Sequence, residues 1–137
     1  MKLLFAKKRN LPSALIRFFT WSQWSHVAIV DGDAVIEATF LGGVSWRPLA
    51  EFLVDYTTEE VGVSLPDEAA AMRFVRQQIG KRYDWTALVG IVFRSGWAKQ
   101  DKWFCSELVA AAIQAGGKRL FREDASRITP RDLWLVL

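Results

Sequence analysis

The first half of the chain alternates short apolar runs with turn residues. These runs are KLLFAK, HVAIV, AVIEAT, GGVSWRP and EEVGVSL. Their β-branched residues, bounded by Gly, Pro and Asp, predict strands. One intervening segment, LPSALIRFFTWS, has apolar residues at helical spacing: Leu11, Leu15, Phe18 and Phe19. We therefore expect a short helix between the first and second strands.

The second half is richer in helical signals. LPDEAAAMRFVRQQIG has Pro and two acids at its start and Gly80 at its end, which predicts a helix. CSELVAAAIQAGG predicts another, closed by two glycines. YDWTALVGIVF fits a helix or a strand, and we take it as a buried helix. Pro130 is expected to introduce a final strand, LWLVL. The set predicts an α+β fold with a mostly antiparallel sheet packed against helices.

The sequence HVAIVDGDAVIEAT predicts a β-hairpin, because Asp-Gly between two apolar runs favours a tight turn. With Asp31 and Gly32 as the turn, His26 lies opposite Glu37 on one face. A three-residue loop would instead move Glu37 to the other face relative to its partner. A buried carboxylate needs a partner, and the imidazole is the nearest candidate. A histidine satisfied by the backbone is the alternative.

Cys105 is the only cysteine of the chain and stands where a helix is expected to begin. A free cysteine is most often a small buried hydrophobe. At a helix start, however, backbone N–H groups favour a thiolate. Together with one histidine and one strand carboxylate, this position makes a Cys–His–Glu hydrolytic site as plausible as a structural thiol.

The composition excludes several classes of protein. The chain has 137 residues, 51% of them hydrophobic and 24% charged, which suits one globular domain spanning 1–137. A single cysteine excludes an intrachain disulfide, and one histidine with one cysteine is too few ligands for zinc. No phosphate-binding glycine loop is present, so we expect no cofactor. We see no signal peptide or transmembrane segment, and expect a cytoplasmic protein, or a virion-associated one if phage-encoded.

The net charge of +3 is unevenly placed. All basic residues before the first acid, Asp31, lie in an N-terminal cluster: Lys2, Lys7, Lys8, Arg9 and Arg17. A solvated basic edge is the commoner meaning of such a cluster, and peripheral contact with a membrane or an anionic polymer is the alternative. Trp21 and Trp24 lie nearby and suit either packing or an interface. We expect no nucleic-acid partner, since no such fold signature is present.

Several motifs together resemble a known group of enzymes. WSHVAIVDGDAVIEAT, GGV, GKRYDW, FCSELVAAA and the closing ITPRDLW are similar to the circularly permuted NlpC-like cysteine peptidase superfamily. The nearest branch is the YiiX/YebB-like group, related to lecithin retinol acyltransferase-like proteins. The resemblance runs from about residue 16 to the C-terminus, and implies a permuted papain-like fold in which the histidine precedes the cysteine.

The resemblance assigns roles to particular residues. It implies that Cys105 is the nucleophile, His26 the general base and Glu37 the orienting third residue. Tyr83 matches a motif tyrosine that lines the substrate pocket, and an ordinary core aromatic is the alternative for this residue. The implied activity is a thiol hydrolase that transfers an acyl group from an amide or ester, such as a cell-wall peptide or a lipid. A non-catalytic lipid- or peptide-binding module, such as a phage accessory protein, is the alternative on the same scaffold.

Overall fold

Five antiparallel strands form one sheet, and two short parallel strands form a second. The computed structural model describes residues 1–83, 102–121 and 128–137. The strands are β1 (Lys2–Lys7), β2 (His26–Asp31), β3 (Ala34–Thr39), β4 (Gly43–Pro48), β5 (Thr57–Gly62), β6 (Arg82–Tyr83) and β7 (Lys102–Trp103). The order in the large sheet is β4-β3-β2-β1-β5, and β6 pairs with β7 in the second. The helices are α1 (Leu11–Thr20), α2 (Leu49–Asp55), α3 (Glu68–Gln78), α4 (Cys105–Ala115) and α5 (Pro130–Val136). The α+β class and the antiparallel sheet are as expected from the sequence.

The two faces of the sheet are covered by different helices. One face, which we call the α4 face, packs its apolar side chains into the main core with α3, α4 and α5; it comprises Leu3, Phe5, Val27, Ile29, Ile36, Ala38 and Val44. The opposite face, the α2 face, packs a smaller cluster against Phe52; it comprises Leu4, Ala6, Ala28 and Val35, with His26 and Glu37 in the same alternation.

The hairpin forms, but its register differs from the predicted one. Asp31 pairs with Ala34 and Ile29 with Ile36, so the two turn residues are Gly32 and Asp33. Gly32 has a φ of 64°, and glycine at the first turn position is what a type II′ turn requires. Continued along the strands, this register sets Glu37 opposite Ala28, diagonal to His26. Because the pairing moved by two positions, each side chain kept its predicted face.

The predicted C-terminal strand is wrong, because Pro130–Val136 forms the helix α5. Thr129 Oγ1 accepts the Asp132 N–H, and the Asp132 carboxylate accepts the Thr129 N–H. This capping box, followed by proline at the first helical position, starts a helix. Leu133 then lies fully buried while Leu135 is exposed, which is helical rather than strand alternation.

The remaining strands and helices match those predicted from the sequence, apart from elements for which no prediction was made. Helix α3 begins at the Asp67 cap, and Arg76 near its end donates hydrogen bonds of 2.6 and 2.8 Å to Asp31 on the hairpin. Helix α2 was not expected. The segment YDWTALVGIVF lies outside the described residues beyond Tyr83. Within the described ranges, the helices are all too short or too polar to cross a membrane.

Strand directions bring several chain segments to one end of the sheet, which we call the His26 end. Strand β1 ends there and β2 begins there, since Ala6 pairs with His26. The turn between β3 and β4 lies at the same end, because Thr39 pairs with Gly43. Helix α1 follows β1 directly and leads back to β2. The His26 end therefore carries α1, the β3–β4 turn and the first residue of β2.

Candidate active site

The imidazole of His26 is held by a carboxylate on the neighbouring strand. His26 Nε2 lies 2.6 Å from Glu37 Oε2, and both side chains are buried. The two residues are diagonal neighbours on the α2 face, a spacing that long side chains can bridge. The sequence therefore predicted this pair correctly, although through a different register. The bond fixes the orientation of the ring.

Two residues that the sequence analysis missed support this pair. Tyr56 stacks on the imidazole with ring centroids 5.6 Å apart, and Phe52 stacks on Tyr56 at 4.6 Å. Arg47 Nη1 lies 3.7 Å from the other oxygen of Glu37, and its Nη2 donates a 2.9 Å hydrogen bond to Asp55. Arg47 therefore supplies positive charge to a carboxylate that has only 3% of its surface exposed.

The thiol of Cys105 also bonds the same imidazole. Burial lowers the pKa of His26, but hydrogen bonds with Cys105 and Glu37, and the charges of both groups, raise it from 6.5 to about 10. With Nε2 bonded to Glu37, Nδ1 is the ring nitrogen left for a bond with the thiol. At neutral pH the imidazole is therefore protonated, and each of its two N–H groups has a partner, one in Glu37 and the other in Cys105.

Cys105 is the first residue of α4, as its sequence position predicted. The Glu107 side chain accepts the Phe104 N–H at 3.1 Å, which caps the helix start. Ser106 donates a hydrogen bond to the Ile128 carbonyl oxygen, so the first turn is tied to the segment before α5. Helix α4 packs on the α4 face, and its first residue meets the imidazole at the His26 end. Cys105 therefore belongs to the core on one side and to the buried polar group on the other.

The structure thus brings together Cys105, His26 and Glu37, three of the four site residues expected from the sequence. Tyr83 lies in β6, paired with Trp103, but its side chain is outside the described part of the chain. No motif pointed to Tyr56 or Arg47. Their signal was weak: an arginine on the strand beside Glu37, and a tyrosine one helical turn after Phe52.

The GGV and GKRYDW motifs meet beside the sheet. Val44 donates a 2.8 Å hydrogen bond to the Lys81 carbonyl oxygen, and Gly80 donates one of 2.8 Å to the Val44 carbonyl oxygen. A Cβ on Gly43 would lie 2.3 Å from that Lys81 oxygen, and Gly43 has a φ of 64°. Only glycine fits there. This contact anchors the segment leading to Tyr83 against β4.

Comparison with solved structures finds a similar fold. A crystal structure described as metalloprotein YiiX from Escherichia coli O157:H7 matches with a TM-score of 0.62 and 25% identity, over 87% of this chain and 67% of that chain. In the part of the present chain that the structure describes, no group of three or more His, Cys, Asp or Glu side chains suits a metal ion. No curated protein matches the chain at a significant level.

A family model matches most of the chain. It is described as permuted papain-like amidase enzymes, YaeF/YiiX, C92 family, and it covers residues 2–118. The matched segment contains His26 on a strand early in the chain and Cys105 at a helix start late in the chain, which is the permuted order expected from the sequence. The chain therefore belongs to the permuted papain-like amidase family.

Proposed function

We propose that the protein is a cysteine hydrolase that cleaves an amide or ester bond by acyl transfer, with Cys105, His26 and Glu37 as its catalytic group. The single observation that carries the proposal is one buried imidazole bonded on one side to the only thiol and on the other to a buried carboxylate. Family membership independently supports an amidase. The substrate that we propose is a cell-wall peptide or a lipid acyl group.

The proposed reaction requires Cys105 as a thiolate beside the protonated imidazole of His26. The Cys105 sulfur attacks the substrate carbonyl carbon, and the carbonyl π electrons move to its oxygen. As this oxyanion collapses, the bond to the amine or alcohol breaks, and the leaving group takes the proton from His26 Nδ1. Cys105 is then a thioester and His26 is neutral.

Water completes the cycle. Neutral His26 accepts a proton from water as its oxygen attacks the thioester carbon. Collapse of the second oxyanion releases the acid and restores the Cys105 thiolate. Glu37 keeps its bond to Nε2 throughout and stabilises the imidazolium each time it forms. We propose that the backbone N–H of Cys105, at the first residue of α4, donates a hydrogen bond to the oxyanion.

The alkylation rate of Cys105 against pH tests this function directly, because the chain has no other thiol. Iodoacetamide is small enough to probe a narrow site. The wild type is expected to react readily at about pH 6, well below the pH near 8.5 at which an ordinary thiol ionises. His26→Ala is expected to lose this low-pH reactivity. The same protein in denaturant gives the rate of the unperturbed thiol.

The outcome also separates the enzyme from a binding module on the same scaffold. A thiol that reacts only above about pH 8, or only after unfolding, would contradict a catalytic role and favour the non-catalytic alternative. If His26→Ala still reacts readily at low pH, the imidazole is not the group that activates the Cys105 thiol. Turnover lost in Cys105→Ser with ligand binding retained would confirm the enzyme.

A further inference from the structure

Helix α1 buries the polar residue Ser13 and exposes three of its apolar residues. Ser13 is buried: its Oγ lies 2.6 Å from Ser25 Oγ and accepts the Lys8 N–H at 3.2 Å. Leu11, Leu15 and Phe18 are exposed by 73%, 47% and 71%. Spacings of four and three residues place these three on one side of a helix. This is the reverse of a surface helix that packs on a core.

Trp21, at the end of α1, is 81% exposed and has a left-handed backbone with a φ of 52°. Glycine or asparagine is the usual residue at such a helix end, because a Cβ is strained there. The indole contributes little burial to offset this strain. We call Leu11, Leu15, Phe18 and Trp21 the outer face of α1. Folding of the isolated chain does not account for the outer face, since large apolar side chains exposed side by side mark a contact surface.

The charge around the outer face selects the kind of partner. Lys7, Lys8, Arg9 and Arg17 lie just before or within α1, and the chain has no acid before Asp31. Lys8 is partly neutralised by Asp55, 3.3 Å from its Nζ, while Arg9 is exposed. Leucine, phenylalanine and tryptophan beside basic residues suit the headgroup level of an anionic bilayer. A soluble anionic polymer would need the charges but not the apolar side chains.

We propose that the outer face of α1 docks the protein on the surface of an anionic phospholipid bilayer. The position of α1 strengthens this inference, because it lies at the His26 end of the sheet. Leu41, 92% exposed in the β3–β4 turn, lies at that same end. Trp24, the other tryptophan of this region, is buried against Trp134 and takes no part. Apolar side chains and basic charge thus meet at the end of the molecule that carries the candidate active site.

Docking in this way turns the candidate active site towards the lipid. The favoured substrate is then an amphiphile whose amide or ester lies at the headgroup level. This substrate class rests on the function proposed above, whereas docking itself does not. Cys105→Ser separates the two, because it removes the nucleophile and leaves α1 unchanged. Equal vesicle binding by Cys105→Ser and wild type is expected whether or not the catalytic proposal holds.

Co-sedimentation with vesicles tests the docking. We expect wild-type protein to bind vesicles of equal parts phosphatidylglycerol and phosphatidylcholine, and to bind pure phosphatidylcholine at least about tenfold more weakly. The double variant Leu11→Ser, Leu15→Ser is expected to bind vesicles at least about tenfold more weakly. It lacks the two leucine side chains that would be buried in the bilayer of the docked protein. Trp46→Ser is the matched control, since this tryptophan is 62% exposed on edge strand β4; its binding should be unchanged.

The variant Trp21→Asn shows whether weaker vesicle binding comes from the lost side chain or from misfolding. Asparagine tolerates the left-handed backbone, so this variant is expected to melt at the same or a higher temperature than wild type while binding vesicles several-fold more weakly. Absence of wild-type binding at low salt would overturn the proposal. So would binding that the leucine and Trp21 variants leave intact but that is abolished at about 0.5 M salt, since this would be a purely electrostatic surface.

Discussion

The two faces of the central sheet bury different chemistry. The α4 face buries only apolar side chains from its strands, such as Phe5 and Ile29, whereas the α2 face buries an imidazole and a carboxylate under Tyr56. Burying apolar area stabilises a fold, while burying charge costs free energy unless partners offset it. The difference indicates that the α4 face holds the protein together and that the α2 face holds a reactive group in place.

Cys105 links the two faces and should show the largest effect. Cys105→Ser keeps nearly the same volume in the core but replaces the sulfur nucleophile. We expect turnover to fall at least about 10³-fold while the variant still unfolds cooperatively as a folded protein. Hydrolysis of a model amide or thioester, with urea unfolding as the control, measures both. A serine variant that keeps more than a tenth of the activity would refute nucleophilic catalysis by Cys105.

Ile29→Ala, on the α4 face, should lower stability and leave the reactivity of the site unchanged. Ile29 is fully buried in the main core, so its truncation leaves a cavity and should cost about 2–5 kcal/mol of stability. The rate of Cys105 alkylation in the remaining folded protein should stay within about twofold of wild type, because Ile29 faces the main core whereas His26 and Glu37 lie on the α2 face. A changed alkylation pH profile in folded Ile29→Ala would show that the two faces are not separable.

Glu37 distinguishes positioning from simple packing on the α2 face. Glu37→Gln keeps an acceptor for the His26 N–H, so we expect it to keep activity within about tenfold, whereas Glu37→Ala should lose about 10–100-fold, which is about 1.4–2.8 kcal/mol. Activity at several pH values for both variants measures the split. Equal losses in the two would contradict an orienting role for this carboxylate.

Tyr56 is expected to give the smallest effect. Its ring covers the imidazole, and burial, followed by the charge of Glu37, raises the pKa of its phenol to about 12, so the phenol stays neutral over the working range. Tyr56→Phe keeps the stacking and should retain wild-type activity. Tyr56→Ala exposes His26 to water and should lower activity roughly two- to fivefold. A loss of this size corresponds to the free energy of one aromatic contact. A larger loss in Tyr56→Phe would instead assign a role to the hydroxyl.

The sequence predicted the catalytic elements better than their surroundings. The hairpin, the face shared by His26 and Glu37, and the helix starting at Cys105 follow from turn chemistry and alternation, which act locally. The turn itself was misplaced by one residue, because Asp31-Gly32 and Gly32-Asp33 both offer a glycine. The strand predicted after Pro130 was wrong because the capping box of Thr129 and Asp132, which starts a helix, was not taken into account.

What the sequence could not predict depends on tertiary contacts. Arg47 and Tyr56 reach the site only because β4 pairs with β3 and α2 crosses the α2 face. The outward direction of Leu11 and Leu15 was equally hidden, since helical spacing predicts a helix but not which side faces the core. Ser13 decides the direction through its bonds to Ser25 and Lys8.

The raised pKa of His26 also gives the fold a pH dependence. Because the pKa is higher in the folded state than in the unfolded chain, protonation stabilises the fold fully below about pH 6.5. This stabilisation is lost as the pH rises through about 10. The groups that set the pKa, Cys105 and Glu37, come from both sides of the imidazole, so the pH dependence reports the whole site.

NMR titration of the imidazole tests the central claim most directly, because His26 is the only histidine of the chain. The ring ¹⁵N shifts of labelled protein report its protonation at each pH. We predict an imidazolium that persists through neutral pH and titrates near 10, with its pKa moving back towards 6.5 in Cys105→Ser. A wild-type imidazole that titrates near 6.5, or is neutral throughout, would contradict a thiolate–imidazolium pair and with it the proposed chemistry.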